Sequence, residues 1–183
     1  MQSIRYKSIE LFIIFIVIPV SFIFNYSSIL KLIIGVLGFV YIIYVLLKIE
    51  KIKFKVNKNL KWKKFWKTTF LNFLIIAIIT SAFVWFSDKE NLFVVMLNKP
   101  KMWILILFFY SFFSVYPQEL IYRTFFFQRY KNLFKNELLF IIINALLFSI
   151  AHLLFKNTLV LFLTFIGGIL FALTYQKTKS TLL

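Results

Sequence analysis

Glu119, Arg123 and His152 are the residues of this chain best able to do chemistry, and all three lie in or beside segments apolar enough for a bilayer. Glu119 and Arg123 belong to Pro117-Gln118-Glu119-Leu120-Ile121-Tyr122-Arg123. That spacing sets an acid and a base one helical turn apart on one face. His152, the only histidine, falls in the apolar run Phe148-Ser149-Ile150-Ala151-His152. An ionisable side chain near hydrocarbon costs about 3 kcal/mol even on lenient insertion scales, so it persists where it is paired, wetted or reactive. Two readings stay open for the Glu119–Arg123 pair: a salt bridge that locks a helix to its neighbours, or a base held in place by its counter-ion. A carboxylate can take a proton from water, and a neutral imidazole can orient that water or bind a metal. One glutamate and one histidine are too few for a closed zinc site, and a lone membrane histidine is more often a hydrogen-bonded core residue or a proton relay.

The elements that position these residues must be membrane helices. Of the 183 residues 62% are hydrophobic, 15% are charged and 26 are Phe, far too little polar surface for a soluble domain. Apolar runs long enough to cross about 30 Å predict an all-α, polytopic transmembrane bundle of about six spans, near 8–25, 29–47, 69–87, 102–116, 138–155 and 158–175. The first is expected to be a retained anchor, since Phe24-Asn25-Tyr26 is no cleavage site. An amphipathic stretch near 117–135 lies between the fourth and fifth spans. Pro117 predicts a break there and a helix restart that puts Glu119 in a first turn. The absence of cysteine excludes disulfides, thiolate metal ligands and a cysteine nucleophile.

The net charge of +16 is concentrated in connectors. The segment Lys48–Lys67 holds nine lysines, and threading the spans from it puts 17 of the 22 basic residues on one side. The positive-inside rule makes that side, with both termini, cytoplasmic. A solvated topogenic loop near anionic lipid explains the lysines, and no base-stacking pattern suggests nucleic acid. Asn144, Phe148 and His152 recur every fourth residue and share a stripe aimed into the bundle. Thr164, Gly168 and Ala172 do the same on the last span, beside Gly167, and read as small-residue packing.

Together these segments resemble a family. Gln118-Glu119 with Arg123 is similar to its Glu-Glu-x-x-x-Arg motif, and Phe148 with His152 to its Phe-x-x-x-His motif. The run Phe165-Ile166-Gly167-Gly168 through Thr178-Lys179-Ser180 is similar to its Gly-containing helix followed by Thr-x-Ser. The family is the CPBP group of intramembrane metalloproteases, also called Abi, related to the CAAX prenyl endopeptidases and to the lysostaphin-resistance type of bacterial membrane protein. The likeness covers roughly residues 103–183 as a protease core, with 1–102 as amino-terminal spans and the lysine-rich connector.

The resemblance implies hydrolysis of a peptide or membrane-protein substrate within the membrane, and the excess of Lys, Ile, Phe and Asn suits the plasma membrane of a bacterium. It implies catalytic roles for Glu119, His152, Gln118 and Arg123, with Glu119 and His152 as the ligands of any divalent metal such as zinc. In the family a glutamate and the first histidine activate water, and a later His-x-x-x-Asn or His-x-x-x-Asp motif stabilises the oxyanion or assists a metal. This sequence departs twice. Gln118 stands where the family has the glutamate usually assigned as base, so Glu119 must take over, since an amide accepts no proton. The chain ends at Thr181-Leu182-Leu183, where the family continues into a span carrying the second histidine motif. The expectation is a core lacking one or two C-terminal helices, with poor or no hydrolysis by the 183 residues as they stand. The alternatives are a non-catalytic immunity or peptide-binding protein on the same scaffold, or a small transporter in which Glu119, Arg123 and His152 form a proton path. Transporters show interrupted spans in matching halves, and no such symmetry is present.

Overall fold

The structure, a computed structural model, describes residues 3–52 and 61–178. Asn57 and the lysines 53, 55 and 58 of the basic connector lie outside the described residues, as do Lys179, Ser180 and the final Thr181-Leu182-Leu183. Among the described residues all regular structure is helical. Helix α1 covers residues 4–21, as Ile4–Phe12, a π-helical turn Ile13–Val17, and Ile18–Ser21. Helix α2 is Ser28–Ile49, α3 is Trp62–Ser87, and α4 runs from Pro100 to Leu133. Helices α5, Glu137–Ile150, and α6, Thr158–Thr178, complete the order. The chain divides into two units, Met1–Val56 with Pro117–Leu183, and Asn57–Tyr116.

Five helices among the described residues are long and apolar enough to cross a membrane: α2, α3, α4, the stretch Glu137–Phe155 and α6. That is one fewer than the apolar runs predict. The difference is α1, whose eighteen residues carry Arg5, Lys7 and Glu10. The expected break at Pro117 is also absent: α4 is helical through it. A π-helical turn, Ser111–Val115, precedes the proline, and the Tyr116 N–H bonds Ser111 O five residues back. The ladder has thus changed register before it meets the residue without an N–H, which is how π-bulges relieve such sites. The amphipathic stretch is therefore the second half of α4. In the 57–116 unit, Trp62–Ser87 and Pro100–Tyr110 bury none of their residues against the described protein.

The other unit holds the core. Phe15, in the π turn of α1, is fully buried, with its ring edge-on to Tyr122 at 5.2 Å, Phe126 at 5.4 Å and Tyr130 at 5.9 Å. These contacts anchor α1 to the second half of α4. Beside them lies a buried ion cluster. Arg129 donates from Nε to Glu10 Oε2 at 2.8 Å, from Nη2 to Glu10 Oε1 at 3.2 Å, and from Nη1 to Glu50 Oε1 at 2.9 Å. The hydroxyls of Tyr41 and Tyr130 also donate to Glu10, and Lys7 Nζ donates to Arg129 O at 3.0 Å. The charged ends of α1, α2 and α4 thus meet at one place, in accord with a threading that gathers Lys7, Lys48 and Arg129 on one side.

Helices α5 and α6 form an antiparallel pair joined by a tight turn. Asn136 caps α5 by accepting from Leu138 N at 2.9 Å, and Asn157 caps α6 by accepting from Leu159 N at 2.9 Å. The small-residue stripe does what its spacing predicts. A Cβ on Gly168 would stand 2.9 Å from Ala145 Cα and 3.1 Å from Ala145 Cβ, so only glycine lets the backbones approach this closely. Thr164 spends its hydroxyl on Val160 O of its own helix at 2.7 Å. Gly168→Val is expected to destabilise the unit by about 1–3 kcal/mol through overpacking. Unfolding in mixed micelles measures this, and unchanged stability would show that the pair has room to spare.

Candidate functional site

Glu119 ends the short α-helical stretch Tyr116–Glu119, and a π-helical segment, Leu120–Phe125, follows at once. Wide turns of this kind recur at functional sites because they re-aim side chains without ending the helix. Here the segment turns Arg123 inward, where it is 2% exposed. Arg123 Nη1 donates to Asn144 Oδ1 at 2.6 Å, and Asn144 Nδ2 donates to the Tyr122 carbonyl at 2.7 Å. The fully buried Asn144 thereby ties α5 to the π segment. Arg123 Nε lies 3.6 Å from Glu119 Oε2, an ion pair just beyond hydrogen-bond length. The Glu119 side chain keeps 30% of its surface exposed. The rings of Phe148 and Phe171 sit 5.1 and 5.6 Å from the guanidinium carbon.

Arg123 Nε and Nη2 are buried and have no hydrogen-bond acceptor. Leaving a buried donor unsatisfied costs about 1–3 kcal/mol, and more for a charged group. Two such donors beside a half-exposed carboxylate are a feature that packing alone does not explain.

His152 lies just past the end of α5, not on it: the helix stops at Ile150, and a 3-10 turn, Leu153–Phe155, follows. The His152 backbone N–H bonds Ser149 O at 2.9 Å, tightening that last turn. Its ring Nδ1 is 2.7 Å from the Phe148 carbonyl. A carbonyl only accepts, so Nδ1 carries the hydrogen and Nε2 of the neutral ring keeps its lone pair for a water or another donor. The imidazole also packs edge-on against the Phe148 ring at 4.8 Å. Glu119 and His152 are therefore linked through Arg123 and Phe148 and not by a hydrogen bond of their own. Gln118, half-buried, precedes Glu119 on the helix.

Sequence spacing thus located Glu119, Arg123 and the Asn144-Phe148-His152 stripe. It did not assign Asn144 to Arg123, nor bring in Phe171, whose only signal was its place one turn beyond Gly168 on the close-packed helix. Among the described residues no group of three or more His, Cys, Asp or Glu could hold a metal ion. A catalytic zinc takes three protein ligands, so Glu119 and His152 do not complete such a site by themselves.

In comparison with known proteins, the family model described as type II CAAX prenyl endopeptidase Rce1-like matches residues 100–183, the part of the chain that contains Gln118, Glu119, Arg123, Asn144, Phe148 and His152. No curated protein and no solved structure matches the chain.

Proposed function

We propose, on the premise that residues 100–183 relate this chain to the CPBP/CAAX protease family, that it is a multi-pass membrane endopeptidase whose Glu119 activates a water for attack on a peptide carbonyl. The observation that carries the reading is a half-exposed carboxylate 3.6 Å from a buried guanidinium with two N–H donors lacking acceptors. Glu119 takes a proton from the water as its oxygen bonds the carbonyl carbon. The resulting oxyanion accepts from Arg123 Nε and Nη2, donors already fixed in a site shielded from solvent. As the C–N bond breaks, Glu119 returns the proton to the leaving amine. Arg123 in this way supplies donors of the kind the resemblance assigns to a second histidine, so the reading gives the 183 residues a turnover that the missing motif alone argues against.

His152 Nε2 accepts the second hydrogen of the same water and orients it, while Gln118 holds water or the substrate carbonyl without taking a proton. Glu119 and His152 are the residues that would hold a divalent metal such as zinc, which would polarise the same water, but two ligands fall short of the three a catalytic zinc takes. The positive-inside rule orients the amino terminus and the lysine-rich connector to the cytoplasm of a bacterial plasma membrane.

His152→Ala in protein reconstituted with a membrane-anchored peptide is expected to lower kcat by about 100-fold, with KM little changed, because it removes an orienting group and not a binding contact. A His152→Ala protein that turns over like the wild type would overturn this assignment.

A further inference from the structure

A cleft of about 600 Å³, separate from the Glu119 site, opens where α4 ends and α5 begins, alongside the last turn of α6. Its inner wall is aromatic. The Phe127 ring lies 4.8 Å from Phe140 and 5.3 Å from Tyr175, and all three side chains are buried. Its rim carries Lys131 and Lys135, both exposed, with Glu137 as the one opposing charge. Residues 131–137 close α4 and open α5, two segments apolar enough to span, so by composition the cleft stands at the membrane–water boundary. Lys177, in the last turn of α6, follows the cleft-lining Gln176 and adds a positive charge at that end of the helix. An aromatic interior beneath a net-positive rim at that depth is complementary to a molecule with an apolar chain and an anionic head.

We propose that this cleft binds an anionic phospholipid, its headgroup phosphate between Lys131 and Lys135 and its first acyl segment against Phe127 and Phe140. Basic residues near a membrane surface each contribute about one kcal/mol towards anionic lipid, so losing both corresponds to a roughly thirty-fold loss of preference.

The test is native mass spectrometry of the full chain in detergent, titrated with phosphatidylglycerol or phosphatidylcholine of identical acyl chains. The wild type is expected to retain one phosphatidylglycerol in preference to phosphatidylcholine. The pair Lys131→Gln/Lys135→Gln is expected to lose that preference, whereas Lys63→Gln/Lys64→Gln, which removes the same charge from α3, keeps it. Phe140→Ala is expected to weaken retention of both lipids, which separates the aromatic wall from the charged rim. The proposal is overturned by equal retention of the two lipids by the wild type, by an undiminished preference in the Lys131/Lys135 variant, or by an equal loss in the Lys63/Lys64 variant. Displacement of the lipid by millimolar inorganic phosphate would assign the site to free phosphate and also overturn it. Circular dichroism and thermal melting of each variant separate loss of binding from loss of fold.

Discussion

Glu119→Gln in liposomes carrying a membrane-anchored peptide is expected to bring cleavage down by about 100 to 10,000-fold, the range over which a positioned general base contributes. The substitution preserves the shape of the side chain and removes only its ability to take a proton. Its effect on folding is expected to be small. The Glu119 side chain is 30% exposed and its contact with Arg123 is 3.6 Å long, so the lost pair is worth about 1 kcal/mol after solvent screening. Arg123→Met should behave differently. It removes the contact with Asn144 Oδ1 and leaves that amide and Glu119 without their cation, so both turnover and the yield of folded protein should fall. Cleavage that survives Glu119→Gln would put the chemistry on other residues.

The second large effect is expected at a distance from the chemistry. Glu10 accepts two bonds from Arg129 and one each from Tyr41 and Tyr130, in a site where its side chain is only 4% exposed. Glu10→Leu strips all four donors of their acceptor and leaves Arg129 with Glu50 as its remaining carboxylate. Breaking a buried pair from one side typically costs about 3–5 kcal/mol, enough to detach α1 from α4. The double variant Glu10→Leu/Arg129→Met should recover a large part of that loss, because the buried cation goes with its anion and Glu50 keeps Lys7 Nζ at 3.8 Å. Reversible unfolding in mixed micelles checks both, and a Glu10→Leu protein within about 1 kcal/mol of the wild type would mean that water enters the cluster and satisfies it.

What could be read from the sequence was what repeats at helical spacing. Glu119 and Arg123 are four apart, as are Asn144, Phe148 and His152, and as are Thr164, Gly168 and Ala172; pairing, a shared stripe and close packing follow from that geometry. The Glu10–Arg129 cluster joins residues 119 positions apart, and nothing local marks Glu10 as anything but one charge near an amino terminus. Pro117 misled because a proline predicts a lost hydrogen bond, whereas the π turn before it lies in residues, Ser111–Val115, that carry no signature of changed register. His152 continues the spacing of α5 but sits beyond its last turn, ahead of Lys156, whose φ of 50° turns the chain toward α6. In α1 hydropathy averages over Glu10, whose burial depends on a partner far along the chain.

In the proposed mechanism Glu119 and His152 reach one water. The chain has no cysteine, so the variant Glu119→Cys/His152→Cys carries the only two thiols. A bifunctional bimane that fluoresces once both thiols are bridged reads their proximity in the folded, membrane-embedded protein. Two groups that each stand about 3 Å from a shared water predict bridging as efficient as in the control Glu119→Cys/Arg123→Cys, whose positions lie one turn apart. Both cysteines labelling singly with no bridged product, while the control pair bridges, would contradict a water shared by Glu119 and His152.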